Sequence, residues 1–498
     1  MRHEIVGRGK QCSTTSMNKI TEAKPSRPRG TDWRDGRSAH HLAVELRETA
    51  KLAWPMVLTQ VGQVTMMTTH LAFIGRIGAE ALAAAALASR VYLVSFTLGA
   101  TLLAAIAPLS AQAFGADNLR IVRRSLRMGL WAAPLLSLPI MAFALRGEQL
   151  LLAFGQEADT ARLAQQYLFG LTWGAAPALW FQAIRSFMGA VNRPEPIFWI
   201  TLAATPINAL LAYLLIYGKL GLPRLELFGA GLATTLVNCG TCLASLYFAK
   251  MRHPFRDYHV LAHLWRFDWP SMRQLLVIGA PISIASLIMY GLFLAIALLA
   301  GLISIRALAA HQIAAQVAAI LFMISFGISM AAAVRVSHAV GRKDAPGIKR
   351  AGLAAMLLGI AIAAMLTLAV VVARFGIAKL FLGESAGDAD ATTELAAKLL
   401  LVGASVFVAD AAQSIAAGGL RGLRDTRTPL LLGCIAYWLI GFSLSYVLSF
   451  TIGLGAIGIW IGLSIGTTVY AGLLIMRFQL LANRVALEAS SLTAKLRS

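Results

Sequence analysis

The sequence predicts an all-α integral membrane protein in which twelve transmembrane helices form two similar six-helix lobes. The first observation behind this prediction is composition: 58% of the 498 residues are hydrophobic, 13% are charged, and the mean hydropathy is +0.70. So few charges cannot cover the surface of a soluble globule of this length. The second observation is an internal repeat that extends over almost the whole chain.

Twelve apolar segments are each long enough to cross a bilayer once, because a helix needs about 20 residues to span roughly 30 Å of hydrocarbon. Six of them lie in each half of the chain. The predicted spans cover approximately residues 52–74, 89–113, 128–146, 165–188, 196–217, 228–249, 274–302, 308–335, 351–373, 397–419, 429–452 and 455–476.

The repeat is visible as identical residues at a constant spacing. At a spacing of 226 residues the pairs are Pro55 and Pro281, Gly75 and Gly301, residues 81–84 and 307–310, and Gly115 and Gly341. At a spacing of 233 residues they are Gly189 and Gly422, Pro196 and Pro429, and Tyr213 and Tyr446. Duplication on this scale in an apolar chain is typical of transporters that hold a substrate between two similar halves.

The polar segments give the domain boundaries and the orientation. We predict a basic disordered tail at 1–47, a first lobe at 48–250, a linker at 251–273, a second lobe at 274–478 and a second tail at 479–498. Lys and Arg are roughly three times as numerous on the N-terminal side of the membrane as on the other, which places both termini in the cytoplasm. The net charge of +21 is therefore explained by Lys and Arg that set the orientation in the membrane, and we expect no nucleic-acid partner.

Several short stretches in a fixed order carry a family resemblance. They are 73–78 with the run 81–84, 308–314, 410–413, 419–426 and 458–460, together with Asn208. These stretches resemble the multidrug and toxic compound extrusion (MATE) family, and within it the NorM-like branch. The resemblance implies two six-helix bundles arranged as a V around a central cavity, and export of substrates against an inward flow of H+ or Na+.

Asp410 is the carboxylate that lies deep in a predicted span. An acid at the centre of a membrane helix costs about 2.5–3.5 kcal/mol on insertion scales, so it is rarely kept without use. It can hold Na+ together with neighbouring carbonyl groups, or carry H+, and the family resemblance implies the same cation-coupling role. A hydrogen-bonded anchor between helices is the structural alternative. Gln413, one turn away on nearly the same helix face, is predicted to line the cavity.

Three positions depart from the family pattern. His70 stands where many members carry an acid in the first helix, Met289 stands where some Na+-coupled members carry one in the seventh, and Ala212 replaces an acid near Asn208. These departures leave the choice between H+ and Na+ open. His70 is a candidate proton carrier, since imidazole titrates near neutral pH; a neutral polar cluster with Thr68 and Thr69 is its structural alternative. We also expect Asn208, Met289 and Tyr290 to line the cavity.

Together these features predict a secondary antiporter of the cytoplasmic (inner) membrane that exports amphipathic, often cationic organic compounds in exchange for H+ or Na+. Its expected partners are those small molecules and membrane lipids, with no cofactor beyond the coupling ion and no obligate protein partner. No P-loop motif for ATP is present in the sequence. A flippase for lipid-linked saccharides is one alternative and would need a strongly cationic cavity. A polytopic membrane enzyme is another and would need a reactive constellation at one membrane face.

Overall fold

The computed structural model describes residues 37–219, 221, 223–252, 255, 265–382 and 389–495, and every regular element among them is helical. Most of the predicted N-terminal tail, much of the predicted linker and the last residues of the C-terminal tail lie outside the described residues. The contacts given below all lie within the unit Leu42–Ser498, which contains both lobes.

The first lobe contains nine helices among the described residues. They are α1 (Arg37–Gly75), α2 (Ala79–Leu103), α3 (Ile106–Gly115), α4 (Leu119–Leu145), α5 (Gly147–Ala153), α6 (Ala158–Thr172), α7 (Ala175–Ala190), α8 (Glu195–Tyr217) and α9 (Glu226–Met251).

The second lobe contains four long helices, one interrupted span and one further long helix. They are α10 (Trp269–Ile303), α11 (Ile305–Gly341), α12 (Ala345–Leu382), α13 (Ala389–Gly422), a span made of α14 (Arg427–Gly433), the π-helical segment Cys434–Phe442, α15 (Ser443–Tyr446) and the π-helical segment Val447–Thr451, and finally α16 (Gly455–Lys495).

The fold class predicted from the sequence is confirmed. Each predicted span coincides with a helix or an interrupted pair of helices, and in the described part of the chain ten spans are long and apolar enough to cross a membrane by length and composition alone. The other two are α1 and the α6–α7 pair. α1 contains polar residues such as Gln60, Gln63 and His70.

Proline explains two interruptions that the sequence analysis did not place. The second span breaks at Ala104–Ala105 and the fourth at Trp173–Gly174. Pro108 and Pro177 follow these breaks in the first turns of α3 and α7. A proline cannot donate to the carbonyl four residues earlier and its ring crowds that carbonyl. The affected carbonyls are those of residues 104 and 173, so the helix restarts just beyond them.

The lobes meet where α3 crosses α11. A side chain at Gly115 would overlap the carbonyl oxygen of His338, and one at Gly341 would overlap that of Gln112. Gly115 and Gly341 are repeat mates, and Gln112 and His338 are also 226 residues apart. The two helices therefore pack backbone against backbone about a local pseudo-twofold axis, and only glycine permits that approach.

Reciprocal hydrogen bonds flank this crossing. Gln112 Nε2 donates to the Gly422 carbonyl at 2.7 Å, from the first lobe to the second. His338 Nε2 lies 2.6 Å from the Ala190 carbonyl, from the second lobe to the first. An ion pair between Glu45 and Arg335 also joins the lobes. We call this part of the molecule, with the turns at 116–118, 191–194, 342–344 and 423–426, the closed end.

Away from the closed end the lobes have separate cores. One apolar core contains Ile74, Leu168 and Ile216 and draws all its members from the first lobe. Another contains Leu292 and Trp460 and draws all its members from the second. A third core combines first-lobe residues with Met272, Leu275 and Ile278 of α10, so the lobes share packing there and have separate cores elsewhere.

Candidate ion-coupling and substrate site

The structure places Asp410 in the middle of α13, half-buried, with Gln413 one turn further on. Gln413 Nε2 donates a hydrogen bond of 2.6 Å to Asp410 Oδ1, and the Gln413 side chain is itself buried. The i to i+3 spacing on a helix brings the two groups together, as the sequence predicts. The amide satisfies one carboxylate oxygen and leaves the remaining acceptor sites of Asp410 available.

Tyr437, in the π-helical segment Cys434–Phe442, lies near Asp410. The phenol of Tyr437 lies near enough to the Asp410 carboxylate to interact with it electrostatically. Its ring packs against Tyr470 at 4.9 Å between ring centroids. The Tyr470 hydroxyl donates to the Pro429 carbonyl at 3.0 Å, whereas the buried Tyr437 hydroxyl has no hydrogen-bond partner among the described residues. A carboxylate, an amide and an unpaired hydroxyl therefore converge in the second lobe.

This group can accommodate H+ or a monovalent cation. Among the described residues no cluster of three or more His, Cys, Asp or Glu side chains is present, so Na+ would be held by Asp410 together with neutral oxygen ligands. Hard cations such as Na+ are coordinated by hydroxyl and carbonyl oxygens. The Gln413 side-chain amide and the Tyr437 hydroxyl are neutral groups that lie close to Asp410.

The structure places His70 on α1, where it faces α8. The side chain is 6% exposed, and Nδ1 lies 3.4 Å from Asn208 Oδ1. Because an amide oxygen accepts only, Nδ1 carries the proton in this contact, and Nε2 is an acceptor when the imidazole is neutral. Nε2 has no partner among the described residues. A neutral His70 thus presents a free basic nitrogen in the first lobe.

More polar groups surround His70 than the sequence indicates. The Tyr167 ring lies 6.0 Å from the imidazole, and Tyr167 is hydrogen-bonded to Ser89. The hydroxyl of nearby Tyr92 and the amide nitrogen of Asn208 have no partners in the described part of the chain. These groups come from α1, α2, α6 and α8, so only the packed lobe brings them together.

Some neighbours differ from those that the sequence suggests. Thr68 and Thr69 bond to the carbonyls of Val64 and Thr65 on their own helix, at 3.0 and 2.9 Å, and do not join His70. Asn208 is 2% exposed and serves as the partner of His70 instead of lining the cavity. This difference arises because an intramembrane helix turns a polar side chain towards the nearest buried polar group.

The predicted cavity residues of α10 are more accessible. Met289 is half-buried and Tyr290 is exposed, on the helix that begins the second lobe. His70 and Asp410 lie in different lobes and have different partners. The structure therefore contains two separate polar sites, one in each lobe, with Met289 and Tyr290 belonging to neither.

Sequence reasoning missed Arg185. This side chain lies on α7, is 7% exposed, and hydrogen-bonds Gln60 and Gln63 of α1. It also reaches Met330 Sδ of the second lobe at 3.9 Å. A signal was present, because Arg185 lies inside a predicted span. Its partners, more than a hundred residues away along the chain, could not be read from the sequence.

A helical membrane protein of two lobes that pack together at one end, with an ionisable side chain inside each lobe, has the architecture of a membrane transporter. The MatE family model matches residues 55–214 and 281–447, one region in each lobe. The chain belongs to this family of membrane transporters, and the alternative of a polytopic enzyme is set aside.

Two relatives are similar over nearly the whole chain. The chain is 59% identical to "Probable multidrug resistance protein NorM" of Bradyrhizobium diazoefficiens, a match that covers 90% of this chain and 96% of the relative. It is 54% identical to the protein of the same name from Rhodopseudomonas palustris, over 87% of this chain and 91% of that one.

Solved structures share the fold. The eukaryotic MATE transporter AtDTX14 superposes with a TM-score of 0.78 at 20% identity and covers 89% of this chain and 98% of its own. A multidrug resistance MATE transporter described as outward-facing superposes with a TM-score of 0.79 at 18% identity, over 89% of this chain and 96% of its own. At these identities the likeness concerns the fold alone.

Proposed function

We propose that the protein is a secondary antiporter of the cytoplasmic membrane that exports amphipathic, often cationic organic compounds in exchange for H+ or Na+. The observation that carries this proposal is Asp410, a carboxylate in the middle of a membrane helix with a single hydrogen-bonded amide partner. An acid in that position is retained at a cost of several kcal/mol, and such residues mark ion pathways. The multidrug-resistance names of the relatives support the substrate class.

The orientation follows from the distribution of Lys and Arg. With both termini in the cytoplasm, the closed end faces the cytoplasm and the cavity opens on the opposite side. The cross-lobe contacts of Gln112, His338 and Arg335 would then form the cytoplasmic seal. For a substrate to enter from the cytoplasm, these contacts must separate, which makes the closed end the part of the molecule that changes during transport.

Exchange arises when the ion and the organic compound favour opposite conformations. Binding of H+ or Na+ at Asp410 neutralises the carboxylate, so it no longer attracts a cationic compound in the cavity. A ligand can shift a conformational equilibrium only by its difference in affinity for the two states. Asp410 supplies that difference for the ion. The free Nε2 of His70 provides a second place for a proton, in the other lobe.

A flippase for lipid-linked saccharides remains the less supported alternative. The pyrophosphate of such a lipid needs several converging cations. Arg185 contributes one buried guanidinium between the lobes.

The test is efflux of a fluorescent cationic dye from proteoliposomes that contain the purified protein, with a pH gradient and a Na+ gradient imposed separately. We expect one gradient to drive dye movement and the other to have little effect, which identifies the coupling ion. Folded protein that moves no dye under either gradient, yet moves a fluorescent lipid-linked saccharide, would replace the antiporter by the flippase.

A further inference from the structure

Arg185 has no acidic partner among the described ion pairs. Its guanidinium is always charged and lies within a membrane span, and the residue is only 7% exposed. Its partners Gln60, Gln63 and Met330 are all neutral. Neutral acceptors satisfy hydrogen bonds but leave the charge itself uncompensated, and an uncompensated buried charge costs several kcal/mol.

Donors outnumber good acceptors around this guanidinium. Two amide oxygens accept from Arg185, while a third contact is the thioether of Met330, a weak acceptor. The amide nitrogen of Gln60 also faces a thioether, that of Met323 at 3.9 Å. A positive charge and several N–H groups therefore lie close together between α1, α7 and α11. Such a place attracts an anion.

A small cavity adjoins Arg185 on the side of the closed end. Its volume is about 10 Å³ and its wall contains Arg185, Thr59 and apolar side chains such as Met56, Ile197 and Met330. The Thr59 hydroxyl already donates to the Pro55 carbonyl at 2.7 Å. A cavity of this size holds about one water-sized guest, and a water needs two to four polar partners. A monatomic anion needs fewer directed partners and gains directly from the charge.

We propose that Arg185 binds a small monovalent anion of halide size in this cavity, at the junction of the two lobes. The site is defined by a buried charge and a cavity, so it does not depend on the proposed antiport. Met330 belongs to the second lobe and the other wall residues to the first. An anion bound here would therefore favour the arrangement in which the lobes are in contact, by mass action on that state.

The test measures thermal unfolding of the purified protein in nanodiscs at constant Na+ and constant ionic strength. Chloride and bromide are compared with gluconate, which is too large for the cavity. We expect a saturable rise in Tm with either halide and none with gluconate. Bromide added to crystals of the protein should give anomalous density beside the Arg185 guanidinium.

Three variants make the test specific. Arg185→Gln removes the charge and should abolish the difference between halide and gluconate. Gln60→Glu supplies an internal carboxylate to Arg185 and should raise Tm in gluconate while removing the response to halide. Arg335→Gln is the matched control, since Arg335 already pairs with Glu45, and its halide response should equal that of the wild type.

Equal Tm in chloride and gluconate for the wild type would overturn the proposal. An unchanged halide response in folded Arg185→Gln would do the same. If Arg185→Gln does not fold, Gln60→Glu decides the question, because a halide response equal to the wild type in that variant contradicts an anion at this site. None of these outcomes depends on dye transport, so failure here is distinguishable from failure of the proposed function.

Discussion

The two lobes share one topology, but matching helices are interrupted in one lobe and continuous in the other. In the first lobe the fourth span is broken at Trp173–Gly174 ahead of Pro177. The repeat mate of Pro177 is Asp410, and there α13 runs without interruption from Ala389 to Gly422. Similarly, Pro108 follows the break in the second span, whereas its mate Val334 lies within the continuous helix α11. At these two positions a proline of the first lobe corresponds to an unbroken helix in the second.

The polar chemistry of the lobes differs in the same way. The first lobe holds a neutral pair, His70 with Asn208, on α1 and α8. The second holds a carboxylate and an amide, Asp410 with Gln413, on one helix. The repeat mate of His70 is Ile296, which is fully buried in apolar packing. Duplication therefore preserved the scaffold while the ionisable groups diverged, and the predictions below separate the contribution of each lobe.

The largest expected effect is that of Asp410→Asn, because it removes the ionisable group of the second lobe while keeping the shape of the side chain. We expect ion-driven dye efflux to fall to the background of empty liposomes, with expression and Tm close to wild type. Glu394→Gln is the matched control on the same helix, since Glu394 is exposed and paired with Lys398. Wild-type efflux by Asp410→Asn would refute the role assigned to Asp410.

The next largest effect concerns the crossing that the lobes share. Gly115→Leu or Gly341→Leu would push a side chain into the backbone of the other lobe, and overpacking of this kind costs about 1–3 kcal/mol. We expect lower Tm and greater labelling of cysteines introduced at the closed end. Gly472→Leu is the control, because nothing lies within 4 Å of a side chain there. Equal Tm for all three variants would mean that the lobes do not depend on this contact.

A smaller effect is expected for His70→Gln, which keeps a donor to Asn208 but cannot take up a proton at the position of Nε2. Efflux should persist while its dependence on pH flattens, because glutamine does not titrate as an imidazole does. The comparison variant is His311→Gln in the second lobe, since His311 packs against Trp460 at 5.8 Å between ring centroids. A pH profile that is the same in His70→Gln as in the wild type would remove His70 from the coupling mechanism.

The smallest effect is expected for His338→Gln, which makes the two sides of the pseudo-twofold crossing chemically alike. The glutamine can still donate to the Ala190 carbonyl, as its mate Gln112 donates to that of Gly422. We expect the free energy of unfolding to change by less than about 1 kcal/mol, which is the typical net contribution of one hydrogen bond. His338→Leu deletes the donor and should lower Tm clearly more than His338→Gln; equal losses would show that the hydrogen bond contributes nothing.

Much of the candidate site could be anticipated where its residues are neighbours along the chain. Asp410 and Gln413 are three residues apart on one helix, so helical geometry alone places them together. His70 could be recognised as an intramembrane imidazole, but its partner Asn208 is 138 residues away. Glu45, the partner of Arg335, lies 290 residues before it, so the sequence does not indicate this pair. Helix periodicity carries no information about such distant pairs.

The sequence by itself determined that this chain is a twelve-helix membrane protein built from two repeats, because apolar length and residue spacing are properties of the chain alone. The tertiary structure decided which ends of the lobes touch, how Gly115 and Gly341 let α3 and α11 cross, and that Arg185 is buried with no acid among its described partners. Those features depend on which helix faces pack together. Packing is a balance among all helices at once, whereas hydrophobicity and helix length act locally.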